Sequence, residues 1–167
     1  MNTLKKTLLA GTLFVMITGT LCHFVYEWSG SHPVAGLFTP VNESTWEHMK
    51  LLFFPMLFIS FFLNSRLKKE FPCITSALAL GILTGTFSIP ILFYSYTGIL
   101  GFNLAPVDIL IFFISVILGF RTVYDLALSC EKKDQGFLLV ALIFLLCICF
   151  FLFTWFPPEL ALFASPE

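Results

Sequence analysis

Residues 136–156 read GFLLVALIFLLCICFFLFTWF, a stretch without a single charged side chain. A helix that crosses the hydrocarbon core of a bilayer needs about 20 predominantly apolar residues. The stretch therefore predicts a transmembrane helix. It also indicates the class of the whole chain, because four similar stretches precede it, at about 7–28, 49–64, 72–96 and 105–128.

The composition of the 167-residue chain agrees with a membrane protein. Hydrophobic residues make up 58% and charged residues 11%, whereas soluble domains average about 45–50% apolar and about 25% charged. A net charge of −1 gives no support to nucleic-acid binding, which relies on a basic surface. We predict an all-α, multi-pass transmembrane bundle of five spans, forming a single integral membrane domain over residues 1–167.

Basic residues predict the orientation of this bundle. Lys50 lies toward one end, and all other basic residues fall toward the opposite end, namely Lys5, Lys6, Arg66, Lys68, Lys69, Arg121, Lys132 and Lys133. Because loops rich in lysine and arginine stay in the cytoplasm, we predict a cell-membrane protein with its N-terminus inside and its C-terminus outside. The five cysteines include no C-x-x-C pair, and we interpret them as small apolar residues of the spans.

Ionisable side chains gather at the predicted outer end. Groups of this kind are costly beside hydrocarbon and by default mark a functional site in a membrane protein. The set comprises His23, Glu27, His32, Glu43, Glu47, His48, Asp108 and Glu159. Arg121 and Asp125, four residues apart near the inner end, are interpreted as a structural ion pair.

Spacing along the helices brings several of these groups onto shared faces. His23 and Glu27 are four residues apart, as are Glu43 and Glu47, and His48 follows directly. Residues at that spacing lie on one face of a helix. Imidazole and carboxylate groups together suit zinc or another divalent cation, so this arrangement predicts a metal site with room for a general base.

The predicted roles follow from this chemistry. His23, His48 and Glu43 are the predicted metal ligands, and Glu47 and Glu43 are the predicted catalytic carboxylates, with Glu47 as the base. Tyr96 is a further candidate hydrogen-bond donor. The predicted pocket residues are Glu27, Asn42, Trp46, Lys50, Tyr94 and Asp108.

Ordinary structural roles compete with this interpretation. Ser44 and Glu47 fit a capping box at a helix start, and Thr39 followed by Pro40 offers an alternative start. Glu27 can form a simple hydrogen-bonded pair with His23 near the head groups. The tail at 155–163 is predicted to fold back along the outer surface. A G-x-x-x-G spacing at 81–85 is assigned to helix packing within the bundle.

Several strings carry a family resemblance. They are HFVYEWS at 23–29, PVNESTWEHMKLLFFP at 40–55, IPILFYSYTG at 89–98, Asp108, and FTWFPPELALF at 153–163. Together they resemble an uncharacterised family of small bacterial integral membrane proteins, known as a domain of unknown function. The resemblance spans nearly the whole chain. The resemblance implies a membrane protein and supports the choice of candidate site residues made above. It implies no reaction.

The stretch NESTWEH at 42–48 is also similar, more distantly, to a signature of seven-span hydrolases of the ceramidase type, which hold zinc with three histidines and an aspartate. This chain has five predicted spans and no late H-x-x-x-H, so the similarity implies only the idea of an intramembrane metal hydrolase.

Three functions remain open from the sequence. The first is a metal-dependent intramembrane hydrolase or transferase that acts on lipid-like substrates. The second is a small ion- or proton-coupled carrier, and the third is a non-catalytic membrane partner subunit. The expected partners are membrane lipid and either a further copy of the chain or another membrane protein. Whether the chain is an enzyme stays open at this stage.

Overall fold

A computed structural model describes residues 2–130 and 136–165. Within these residues it contains six α-helices, one short 3-10 helix at Ala161–Phe163 and no strand. The α-helices are α1 (Asn2–Trp28), α2 (Pro33–Phe38), α3 (Thr45–Leu67), α4 (Ile74–Leu100), α5 (Ala105–Leu128) and α6 (Gly136–Trp155). All except α2 are long and apolar enough to cross a membrane, which confirms the all-α, multi-pass class.

The start of α3 decides where the polar residues sit. Ser44 is the N-cap, and its hydroxyl accepts a hydrogen bond from the backbone N–H of Glu47 at 3.4 Å. The hydrogen bond from the Glu47 N–H to the Ser44 side chain, one of the two in the predicted capping box, is thus confirmed. The Glu47 carboxylate instead accepts from the N–H of Val41 at 3.0 Å. The alternative start at Thr39 is wrong, because Thr39 is the C-cap of α2.

Small residues let α4 and α5 approach closely. A Cβ atom added to Gly81 would lie 2.7 Å from the carbonyl oxygen of Gly119, and one added to Gly85 would lie 3.1 Å from that of Ser115. Backbones this close leave no room for a larger side chain. The G-x-x-x-G spacing therefore serves packing within the bundle, as predicted.

A shared apolar core joins the spans below the polar end. Among its fully buried members are Phe53, Met56, Val116 and Phe150, which come from α3, α5 and α6. The C-terminal tail returns to this bundle, with the Phe163 ring centroid 4.9 Å from that of Trp46. The predicted fold-back of the tail is thus confirmed.

A disulfide joins Cys73, at the N-cap of α4, to Cys130, just beyond α5. The two helix ends are neighbours in the bundle, and the Cα atoms lie 5.9 Å apart, within the range that a disulfide spans. The interpretation of all five cysteines as apolar filling is therefore wrong for this pair. Cys22, Cys147 and Cys149 are free and partly buried in α1 and α6.

This disulfide provides a test of orientation, because it lies at the end that carries most basic residues. If that end faces the reducing cytoplasm, as the basic residues predict, a disulfide is rarely maintained there. The predicted orientation therefore requires Cys73 and Cys130 to be thiols in intact cells and to form the disulfide once the protein is purified without reductant. Alkylation of cells at the moment of lysis, followed by peptide mass spectrometry, measures this. A disulfide already present in the cells would contradict the predicted orientation.

Candidate metal centre

Three side chains from separate parts of the chain meet at the polar end of the bundle. His23 lies near the end of α1, Glu43 lies in the connection before α3, and His48 lies in the first turns of α3. The Nε2 atom of His48 is 3.3 Å from one oxygen of Glu43, and the Nε2 atom of His23 is 3.9 Å from the other. The two imidazole centroids are 5.4 Å apart.

The position of Glu43 follows from where α3 begins. Because Ser44 is the N-cap of α3, Glu43 precedes the helix, and its side chain does not have to follow the direction of side chains within the helix. Its carboxylate therefore turns back over the first turn and reaches the two histidines. About 67% of the Glu43 side chain is exposed, whereas about a third of each imidazole is exposed, so the group is open to water on the carboxylate side.

A backbone carbonyl fixes the tautomer of His48. Its Nδ1 atom lies 3.0 Å from the carbonyl oxygen of Ser44. A carbonyl oxygen only accepts hydrogen bonds, so Nδ1 carries the proton and donates it. In the neutral ring the lone pair then resides on Nε2, which is the atom that faces Glu43. This is the outer-shell arrangement that orients metal-binding histidines in proteins.

The three donor atoms fit a divalent transition metal. One ligand atom from each of His23, Glu43 and His48 lies within 4.8 Å of the others. Two ligands bonded to one zinc ion at about 2.1 Å lie at most about 4.2 Å apart. In tetrahedral coordination the ligand atoms lie about 3.4 Å apart, so the widest pair has to close by up to about 1.4 Å. Two imidazoles and one carboxylate are also a ligand set of catalytic zinc sites that keep a fourth position open.

The candidate site forms part of the wall of a cavity of about 500 Å³ between α1, α3, α4 and α5. This volume lies within the range of small-molecule sites. Polar side chains face it at one end, and the remaining wall is largely apolar. The large apolar side chains that line it are Phe24, Leu51, Ile89, Phe93, Ile109, Ile111 and Phe112.

Asp108 lines the same cavity from the first turn of α5. The hydroxyl of Tyr96 donates a hydrogen bond to its Oδ1 atom. The same hydroxyl accepts from the backbone N–H of Leu104 at 3.0 Å. Tyr96 thus holds Asp108 and also ties the end of α4 to the start of α5.

A buried ion pair lies beside the cavity without lining it. Lys50 is 0% exposed and Glu47 is 1% exposed. The Nζ atom of Lys50 donates to Glu47 at 2.7 Å, to the carbonyl oxygen of Gly36 at 2.9 Å and to the hydroxyl of Thr154 at 2.5 Å. All three protons of the ammonium group are therefore used, and the cluster joins α2, α3 and α6.

One protein family has a model that matches residues 1–166, and its description is a family of unknown function, DUF6512. The chain belongs to this family. No curated protein and no solved structure matches the chain. The predicted resemblance to a family of unknown function is thus confirmed. Since membership brings no reaction with it, the site itself has to carry the functional argument.

In this member of the DUF6512 family the structure brings together His23, Glu43 and His48, and it places Asp108 on the same cavity. It does not bring Glu47 to them, because that carboxylate pairs with Lys50 in the buried cluster. A general base at Glu47 would need a side chain open to the cavity, and the Glu47 side chain is only 2% exposed.

The other predicted pocket residues have separate places. Glu27 is exposed on the last turn of α1. Asn42 is exposed, and its side chain accepts from the N–H of Ser44 at 2.9 Å. Trp46 is buried against Phe150, with ring centroids 4.6 Å apart. None of these, nor Lys50 or Tyr94, lines the cavity among the residues that the structure describes.

Helical periodicity explains most of these differences. Trp46 and Lys50 are each two residues from His48, which places them about 200° around α3. They face α6, while His48 faces the cavity. Tyr94 and Tyr96 are related in the same way on α4, and Tyr96 is the one that reaches Asp108. His32, the N-cap of α2, and Glu159 are both exposed.

Sequence reasoning missed the partners that come from distant parts of the chain. Thr154 and Gly36 complete the hydrogen bonding of Lys50, and Asn103 lines the same cavity as Asp108. One signal was available: Glu47 and Lys50 are three residues apart, and such a pair meets on a helix surface.

Proposed function

We propose that the chain is a metal-dependent membrane enzyme, a hydrolase or transferase that acts on lipid-like substrates. Its metal, zinc in this proposal, is held by His23, Glu43 and His48. The observation that carries the proposal is the convergence of two imidazoles and one carboxylate at the wall of a largely apolar cavity. We further propose that this end of the bundle faces the outside of a bacterial cell membrane.

Two of the three proposed ligands are held in place by the start of α3. His48 is oriented by the carbonyl of Ser44, and the N-cap that places Ser44 also places Glu43. The exposed carboxylate leaves a route for water to the site. When bound at such a site, zinc polarises a carbonyl oxygen and lowers the pKa of its water toward neutrality.

The cavity wall supports a lipid-like substrate. Its aromatic and aliphatic side chains come from helices that are long and apolar enough to cross a membrane. A substrate with an apolar body gains free energy by placing that body against Phe93, Ile109 and Phe112, by roughly 25 cal/mol for each Å² of apolar surface buried. The reacting polar group then lies beside the histidines.

The carrier function has less support. A carrier needs a polar route from this cavity to the opposite end of the bundle. Below the cavity the described residues pack into an apolar core that includes Phe53, Met56 and Val116, each fully buried. Arg121 and Asp125 lie beyond this core as an exposed pair, with Nε and Oδ2 2.7 Å apart.

Metal dependence of activity tests the proposal. Purified protein in nanodiscs is incubated with a total membrane lipid extract, and new products are followed by mass spectrometry. We expect product formation to stop after chelation and to return on addition of zinc. The variant His48→Ala should lose more than about 100-fold in rate, because even outer-shell partners of metal ligands are worth about 10–100-fold.

His32→Ala is the matched control, since His32 is exposed and caps α2 away from the site. It should retain the wild-type rate. If the zinc-loaded protein converts no lipid, or if chelation leaves the rate unchanged, the enzymatic proposal is contradicted. Retained activity in a Glu43 or His48 variant that no longer co-purifies with a second membrane protein would instead support the partner-subunit function.

A further inference from the structure

The charges that line the cavity are unbalanced toward the negative. Glu43 and Asp108 are both in the wall, and no lysine or arginine lines it among the described residues. Lys50 is the lysine or arginine nearest to Glu43 in the sequence. It is fully buried, and its ammonium group donates its protons to Glu47, Gly36 and Thr154. A bound divalent cation would bring the formal charge of the cavity to zero.

Asp108 is held as a hydrogen-bond acceptor. The proton of the Tyr96 hydroxyl is directed at Oδ1, because the oxygen of that hydroxyl is already occupied by the N–H of Leu104. Among the described residues no side chain or backbone group donates to Oδ2. Asp108 also lies in the first turn of α5, where the helix dipole favours a negative charge.

The cavity wall thus carries other polar side chains besides the set of His23, Glu43 and His48. They are Asp108, Asn103, Thr20 and Thr45. The rest of the wall is largely apolar and includes Phe93, Ile109 and Phe112. A ligand that fills this space needs an apolar body and a head group that donates hydrogen bonds to a carboxylate.

We propose that Asp108 is a recognition subsite for an ammonium or hydroxyl group on the head of one bound amphiphile. The ligand class at this subsite is therefore a lipid-like molecule that places a neutral or cationic donor group, rather than a phosphate, at Asp108. In the zinc-free protein a phosphate there would add a second negative charge, and no lysine or arginine lines the wall among the described residues to offset it. The role of the Asp108 subsite in catalysis rests on the proposed function, whereas binding of a ligand at Asp108 requires no metal.

Binding of two matched amphiphiles tests this assignment. The probes are a fluorescent alkylammonium and a fluorescent alkyl phosphate with the same chain length. Equilibrium binding to the full chain in nanodiscs of zwitterionic lipid is measured with and without zinc. Without zinc we expect the wild type to bind the alkylammonium at least about tenfold more tightly, since a charge-assisted hydrogen bond is worth about that factor or more.

Three variants make the test specific. Asp108→Asn retains the shape of the side chain and an acceptor for Tyr96, and it should abolish the preference for the alkylammonium. Asp108→Glu should retain the preference. Asp125→Asn, which removes an exposed carboxylate at the opposite end, should leave it at the wild-type value.

The readout separates this inference from the metal proposal. Asp108→Asn should bind zinc with unchanged stoichiometry, whereas His23→Ala should lose zinc and keep the alkylammonium preference. Stronger binding of the alkyl phosphate by the zinc-free wild type would overturn the inference, even if the Asp108→Asn variant does not fold. An unchanged preference in Asp108→Asn would overturn it as well.

Discussion

Replacing Glu47 by alanine is expected to lower the free energy of unfolding by about 3–5 kcal/mol. The change leaves the amino group of Lys50 fully buried and without its counter-ion, and breaking a buried pair from one side typically costs that much. The loss is enlarged by the hydrogen bond that Glu47 accepts from Val41, which fixes the connection before α3.

Reversible unfolding in mixed detergent micelles measures this free energy. The pair of Arg121 and Asp125 is the matched control, because its side chains are 68% and 51% exposed. Exposed pairs are worth about 0–1 kcal/mol, so Asp125→Ala should have little effect. The double variant Glu47→Leu, Lys50→Met should recover much of the lost stability. If Glu47→Ala is as mild as Asp125→Ala, the buried cluster does not stabilise the bundle.

Replacing His23 by alanine is expected to reduce zinc affinity by more than about 100-fold. The substitution removes one of three protein ligands, while partners that only orient a ligand are worth about 10–100-fold. His23 comes from α1, whereas Glu43 and His48 are close in sequence. Loss of His23 therefore tests whether α1 contributes a ligand to the site. Variants of Glu43 or His48 cannot test this, because both residues belong to the start of α3.

Competition with a chromophoric zinc chelator measures this affinity in detergent solution. His32→Ala provides a control with the same chemical change at an exposed position outside the site. It should bind zinc as the wild type does. Equal affinities for the His23 variant and the wild type would show that zinc, if bound, lies elsewhere on the protein.

The helical class could be predicted because membrane spans are defined by local composition. Residues 136–156 need no partner to be recognised as a span, since every backbone group is satisfied within the helix. The short helix α2 was not predicted. It follows from the N-cap at His32 and Pro33 at the first helical position, signals that are weak in a segment of only six residues.

The site could be predicted only in part, because it depends on contacts between elements. The residue types and their common end were visible in the sequence, and so were His23, Glu43 and His48 as a group. The sequence did not show that Glu43 would lie with the two histidines while Glu47 pairs with the buried Lys50. It depends on the start of α3 and on Thr154, which lies 107 residues from Glu47.

The cysteine pair shows the same limit. Cys73 and Cys130 are separated by 57 residues, and only the close antiparallel packing of α4 and α5 brings them together. Spacing rules for C-x-x-C pairs do not detect such a contact. The G-x-x-x-G spacing at 81–85 indicates close packing, although it does not identify α5 as the partner helix.

X-ray absorption at the zinc edge of the zinc-loaded full-length protein, combined with elemental analysis, tests the metal site most directly. We predict one zinc ion for each chain, with nitrogen and oxygen ligands at about 2.0–2.1 Å and the scattering pattern of two imidazoles. Sulfur ligands at about 2.3 Å, or no stoichiometric zinc, would contradict a centre built from His23, Glu43 and His48.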